Sequence, residues 1–115
     1  MIHIGVSLEG IIRNSLKLRE VKKSGVYPGD SVIIITRNSV YRLIALGNGQ
    51  YRVSGGWFDK TGISHSVVTI TGCSWGGSAI KVNSLAACGL SVEFGNGVIT
   101  STIRKIVVLR KFVVN

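Results

Sequence analysis

Residues that carry chemistry are scarce in this 115-residue chain: two histidines, two cysteines, five carboxylates and one proline. One histidine, His3, falls in the first few residues. The other lies in Ser64-His65-Ser66, close to Asp59, which brings together the residue types of a serine triad. A triad needs a hydroxyl, an imidazole and a carboxylate in sequence through space, which a shared loop does not supply. The segment therefore reads as a loop histidine beside two turn-forming serines. The carboxylates Glu9, Glu20, Asp30, Asp59 and Glu93 include no two spaced to share a strand face, so no acid–base pair can be assembled from neighbours. Cys73 and Cys88 lack the Cys-x-x-Cys spacing of a zinc ligand pair, and in a reducing compartment they are expected as free thiols. No catalytic residue, metal ligand or cofactor is assigned, and an enzyme is not expected.

Long apolar runs are missing too. Nothing approaches the roughly 20 residues that a membrane-crossing helix requires, and the most apolar segment, 103–114, is interrupted by Arg104, Lys105, Arg110 and Lys111. Met1-Ile2-His3-Ile4-Gly5 has no charged segment leading into an apolar one, as a secretory signal would. A cytoplasmic protein with no membrane partner is expected.

What the chain does have is positive charge, glycine and short apolar runs. Fourteen Lys and Arg against five acids leave a net charge of +9, which attracts polyanions such as nucleic acid. A hydrophobic fraction of 45% supports a packed core, and fifteen glycines point to many tight turns. The length fits a single β-rich domain over 1–115, with residues 1–15 as a candidate arm.

Within residues 1–24 two periodicities compete. Leu8, Ile11, Ile12 and Leu16 fall at helical spacing, while Leu16 and Leu18 alternate with Lys17 and Arg19 as in a strand. A short strand from Leu16 to Val21 after an arm of unassigned structure is favoured, with an amphipathic helix from Leu8 to Lys22 as the alternative. Tyr27-Pro28-Gly29-Asp30 is turn chemistry, and Val32 to Thr36 is a β-branched strand. Arg37-Asn38-Ser39 turns into a strand from Val40 to Leu46, which pairs across Gly47-Asn48-Gly49 with Gln50 to Trp57. A three-residue loop pairs Leu46 with Gln50 and Ile44 with Arg52. It gathers Tyr41, Leu43, Ala45, Tyr51, Val53 and Gly55 on a core face and sets Arg42 diagonal to Arg52 on the other. Gly55-Gly56 suggests a bulge or bend, and Asp59 to Ser66 a loop.

Val67 to Cys73 reads as a strand, Ser74-Trp75-Gly76-Gly77-Ser78 as a glycine-rich bend, and Ala79 to Val82 as a short extended piece. Cys88, Leu90, Val92 and Phe94 alternate with Gly89, Ser91 and Glu93. A two-residue Asn96-Gly97 turn sets Phe94 against Ile99, Val92 against Ser101, and Thr100 beside Glu93 on the wet face. Ile103 to Val113 is too apolar on both faces for an edge strand. The predicted fold is all-β: a small antiparallel barrel, SH3-like or OB-like, or a compact sandwich.

The basic residues form three groups. Arg13, Lys17, Arg19, Lys22 and Lys23 crowd the N-terminal segment; Arg37, Arg42 and Arg52 share the first hairpin; Arg104, Lys105, Arg110 and Lys111 lie on the last strand. If the first and last strands meet, two groups merge into a stripe that could track a phosphate backbone. Tyr27, Tyr41, Trp57 and Trp75 are candidate stacking residues, although Tyr41 falls on the core face and packing suits both tryptophans better. Gly72-Cys73-Ser74-Trp75-Gly76-Gly77-Ser78, near Lys81, lacks the Gly-Lys-Ser/Thr ending of a phosphate-binding loop. Turns explain it better than an anion-binding nest.

Pro28-Gly29-Asp30, Arg37-Asn38-Ser39 with Tyr41-Arg42-Leu43, Gly76-Gly77-Ser78 and Thr100-Ser101 before Ile103 together resemble a set of small uncharacterised bacterial proteins, over about residues 16–106. That resemblance implies a cytoplasmic β-rich domain and no activity, cofactor or binding residue. The leading expectation is a non-catalytic binder of nucleic acid or another polyanion. The alternative is a structural module that forms a homo-oligomer or docks on a protein partner.

Overall fold

The computed structural model describes residues 2–6, 11–75 and 79–113, with side chains placed from residue 18 to 75 and from 79 to 111. Its strands are β1 (Ile2–Val6), β2 (Ile11–Leu18), β3 (Glu20–Lys22), β4 (Ser31–Thr36), β5 (Val40–Gly47), β6 (Gln50–Gly55), β7 (Ser66–Ser74), β8 (Ile80–Lys81), β9 (Ser84–Ala87), β10 (Ser91–Phe94) and β11 (Ile103–Val113). Among the described residues one α-helix, α1 (Gly56–Lys60), and one 3₁₀ turn, Lys23–Gly25, interrupt them. Among the described residues the main sheet runs β1-β2-β11-β4-β5-β6-β7-β10, with β8 also against β7 and every pair antiparallel. This sheet curls into a half-barrel, and a small second sheet, β3 with β9, packs against it. The all-β expectation holds.

β4 is a β-branched run whose alternate positions Val32, Ile34 and Thr36 are buried. On β5 and β6, Tyr41, Leu43, Ala45, Tyr51 and Val53 face the core, as their alternation predicts. β11 spans the predicted residues and lies inside the sheet between β2 and β4, so its apolar outer positions are not left on an edge. Residues 2–6 and 11–15, expected as an arm, are in paired strands, and the strand expected from Leu16 to Val21 is divided between the end of β2 and β3. This excludes a helix over the described part of 8–22, whereas Leu8 lies outside the described residues.

Both hairpin loops differ from expectation. Asn48 (φ 55°) and Gly49 (φ 73°) form a two-residue turn with positive φ at both positions, the signature of a type I′ turn. It closes on Gly47 paired with Gln50, and Leu46 is absorbed as a bulge. Ile44 therefore still pairs with Arg52, and the core face survives. The second hairpin has a three-residue loop, Gly95–Gly97, in which only Gly97 (φ 90°) is left-handed. Phe94 N–H donates to Val98 O, and Glu93 bridges Ile99. Thr100 is consequently buried rather than wet, because its Oγ1 accepts the Val92 N–H at 3.0 Å.

β6 ends at Gly55, not Trp57. A Cβ at Gly55 would lie 2.1 Å from Val40 O, and one at Gly56 2.2 Å from the Tyr41 ring, so only glycines let the chain turn here. The turn starts α1 and drives Phe58 into the core, where it meets Phe94 edge-on at 5.1 Å and Tyr41 at 6.3 Å. The expected loop 59–66 thus begins as helix. A further strand not foreseen, β9, is buried at all four positions. The 76–78 part of the glycine-rich bend lies outside the described residues.

Phe58 is fully buried among aromatic rings. Phe58→Ala should therefore cost about 3–5 kcal/mol, read as a lower urea midpoint at unchanged slope.

Candidate nucleic-acid interface

Strand alternation and register decide which basic residues share a surface. On β11, Lys105, Val107, Leu109 and Lys111 occupy the positions between the buried Ile106 and Val108. Val107 pairs with Ile33 on β4, which pairs with Arg42 on β5. Leu109 pairs with Ser31, Ser31 with Ile44, and Ile44 with Arg52. Arg42, Arg52, Lys105 and Lys111 therefore stand on one outer face of β11-β4-β5-β6, around half-buried aliphatic side chains. The N-terminal basic segment does meet the last strand: β2, the second strand, pairs with β11, with Arg13 opposite Lys111 and Lys17 opposite Val107. For Arg13 and Lys17 the register is described and the side chains are not.

The other predicted residues are distributed elsewhere. Arg19 and Arg104 are exposed beside the Cys88 turn, where Arg19 O accepts the Cys88 N–H and Arg104 O the Cys88 thiol. Arg37 is exposed in the β4–β5 turn, its N–H on Thr102 O. Lys22 belongs to the second sheet, and Lys23 follows it with its Nζ donating to Thr71 O. Arg110 turns inward. Its guanidinium donates to Asp30 Oδ2 at 2.8 Å and lies 5.9 Å from the Tyr27 ring centroid.

Asp30 is the centre of that arrangement. Its side chain is 4% exposed and also accepts the N–H groups of Tyr27 (3.0 Å) and Lys111 (3.3 Å), and its own carbonyl accepts the Ala45 N–H. Pro28 followed by Gly29 at φ 93° closes the turn that presents it. Arg110 is thus a structural partner rather than a free cation.

Of the remaining described carboxylates, two are paired and the third lies elsewhere. Glu20 accepts from Lys81 Nζ at 2.7 Å, which lowers its pKa. Asp59 Oδ1 takes the Ser64 hydroxyl and the Gly55 N–H at 2.9 Å, and its pKa is lowered first by Ser64. The hydroxyl of the supposed triad therefore bonds the carboxylate directly, as a clamp between α1 and its following loop. Glu93 stands on β10, beyond β7 from the basic face.

A cleft of about 670 Å³ lies between residues 23–28 and the β5–β6 turn, with Ala45, Tyr51 and Ile70 in its lining. Its volume suits a small molecule, and Lys23 is its one charged lining residue. Burial raises the Tyr51 pKa, and burial likewise raises that of the Cys73 thiol, holding it protonated. Both cysteines are free. Trp57 and Trp75 are partly exposed away from the basic face, and Tyr27 lies against Arg110. No helix among the described residues is long and apolar enough to cross a membrane.

A smaller groove, of about 130 Å³, opens on the basic face itself and is lined by Gly29, Ser31, Arg42, Ile44, Leu109 and Lys111. Ser31 was not foreseen as a site residue. Starting β4 one residue earlier would have placed it with Ile33 and Ile35 by alternation.

Comparison with protein-family models, with curated proteins and with solved structures finds no match for this chain. Its fold and this surface define a small all-β protein with a basic, partly apolar sheet face.

Two variants probe these pairs. Asp30→Asn should lower stability by about 2–3 kcal/mol, since it leaves Arg110 largely desolvated without its partner; thermal and urea unfolding measure it. The lowered pKa of Glu20 means that its contribution is present above the ordinary carboxylate range and is lost as pH falls through the lowered value. In Lys81→Gln the Glu20 carboxyl should titrate nearer its ordinary value, as read by carboxyl ¹³C NMR.

Proposed function

We propose that this chain is a non-catalytic binding protein that holds nucleic acid through the outer face of β11-β4-β5-β6. One observation carries the reading: Arg42, Arg52 and Lys111 stand together there, while every described carboxylate is buried, paired or on another part of the fold. Cations without acids beside them attract phosphate and release its counterions on contact. Arginine adds a planar fork that matches two phosphate oxygens. The half-buried Ile33, Ile35, Ile44 and Val107 between them offer a smooth apolar strip, and no aromatic side chain stands on this face among the described residues. Contact is therefore to the backbone, with little reading of bases.

A second reading, a module docking on a protein partner or forming a homo-oligomer, draws on the same aliphatic strip and on exposed Val40 and Val67. Like charges at Arg42, Arg52 and Lys111 oppose the stacking of two copies on this face. A single monomer mass by light scattering at high concentration would count against self-assembly.

Fluorescence anisotropy with labelled 20-mer DNA and RNA tests the first reading. Between 50 and 200 mM salt the affinity should fall about 40-fold if three phosphates are contacted, and about 10³-fold for six. Binding that ignores salt, or no binding to either nucleic acid, would overturn it.

A further inference from the structure

The geometry points to the groove at Ser31, Arg42 and Lys111 as a built seat for one phosphate of a nucleic-acid backbone. The inference rests on the reading just given and assigns the point on that face where a phosphodiester is held. Ser31 is 6% exposed as a residue and lines the groove, where its hydroxyl, engaged by no described residue, remains accessible. An anionic oxygen arriving in the groove can accept a hydrogen bond from that hydroxyl between the two cations.

The two cations are placed by register. Ser31 pairs with Leu109 on one side and Ile44 on the other, and Lys111 and Arg42 each stand two residues from those partners on the same face. Such diagonal neighbours are about 7–8 Å apart, within reach of long side chains. The aliphatic stem of Lys111 runs over Gly29, where an added Cβ would lie 3.8 Å from its Cδ, and the Lys111 N–H is held by Asp30. Ile44 and Leu109 supply apolar walls that strengthen any ion contact made between them. The groove's volume is that of about four waters, which suits a single tetrahedral oxyanion.

Arg52 decides between a lone phosphate and a chain of them. It lies diagonal to Arg42 on the same face and outside the groove lining, so the positive track continues past one phosphate. A polymer with repeated charges uses both, whereas inorganic phosphate uses only the groove.

The test has two arms. In ¹⁵N NMR at constant ionic strength, replacing chloride by inorganic phosphate should give saturable shifts confined to residues 29–31, 42–44 and 109–111. In anisotropy, Ser31→Ala, Arg42→Gln and Lys111→Gln should each weaken binding of the 20-mer by roughly ten-fold, the value of a hydrogen bond to a charged group. Lys60→Gln on α1 should change it less than two-fold. The spread of amide signals in each variant reports that it is folded.

Phosphate shifts spread evenly over all basic residues, with a 20-mer that still binds and keeps its salt slope, would overturn the groove and leave the wider reading standing. Saturable phosphate shifts without any 20-mer binding would overturn the backbone assignment and the wider reading together, leaving a site for free phosphate. Ser31→Ala binding both probes as the parent does would also overturn the groove.

Discussion

One carboxylate holds the turn before β4 and the far end of β11 in register. Asp30 is almost fully buried, and an ion in that position is tolerated only when its oxygens are met by donors. Here the donors come from three places: the turn before β4, the guanidinium of Arg110 and the backbone of Lys111. Its own carbonyl adds β5 through Ala45. The far end of β11 is thereby fastened to the turn and to the β4–β5 pair. The direction of consecutive side chains follows. Arg110 is drawn inward, Lys111 is left outward over Gly29, and the groove beside Ser31 takes its shape from that alternation.

The aromatic cluster does comparable work at another part of the sheet. Two glycines in succession reverse the chain after β6, and the helix that follows is too short to stand by itself. Phe58, set between Tyr41 and Phe94, holds it down. Asp59 then ties the segment leading back into β7 through Ser64 and Gly55. The residues most suggestive of catalysis in this chain thus secure a reversal of the backbone.

Legibility of the fold tracked the strictness of alternation. The Ile44–Arg52 register and the limits of β11 could be read because one face of each strand pair is strongly apolar, and a one-residue slip would invert it. The loop lengths could not. A bulge at Leu46 gives a two-residue turn the facial outcome of a three-residue one, and Thr100 is buried by a hydrogen bond rather than by its polarity. β9 escaped notice because Ser84, Leu85, Ala86 and Ala87 are all buried and show no alternation. Of the basic face, Arg42 and Arg52 were legible from local pairing and Ser31 was not. The inward turn of Arg110 depends on a partner 80 residues away, a distance over which periodicity carries no information.

The place of β11 in the sheet has a kinetic meaning. It is last of the strands in chain order and yet third in the sheet, between β2 and β4. Until it arrives, the β1–β2 pair has no strand linking it to the β4–β7 meander, so each half exposes an open edge. The pairing that removes both edges is also the most distant along the chain, and such contacts form late and set the pace of folding. The basic face comes into being in that same step, because it is made of β11 laid against β4 and β5. That face exists only once β11 has joined the two halves of the sheet, and a chain that has not yet placed this strand carries the positive charge without the arrangement.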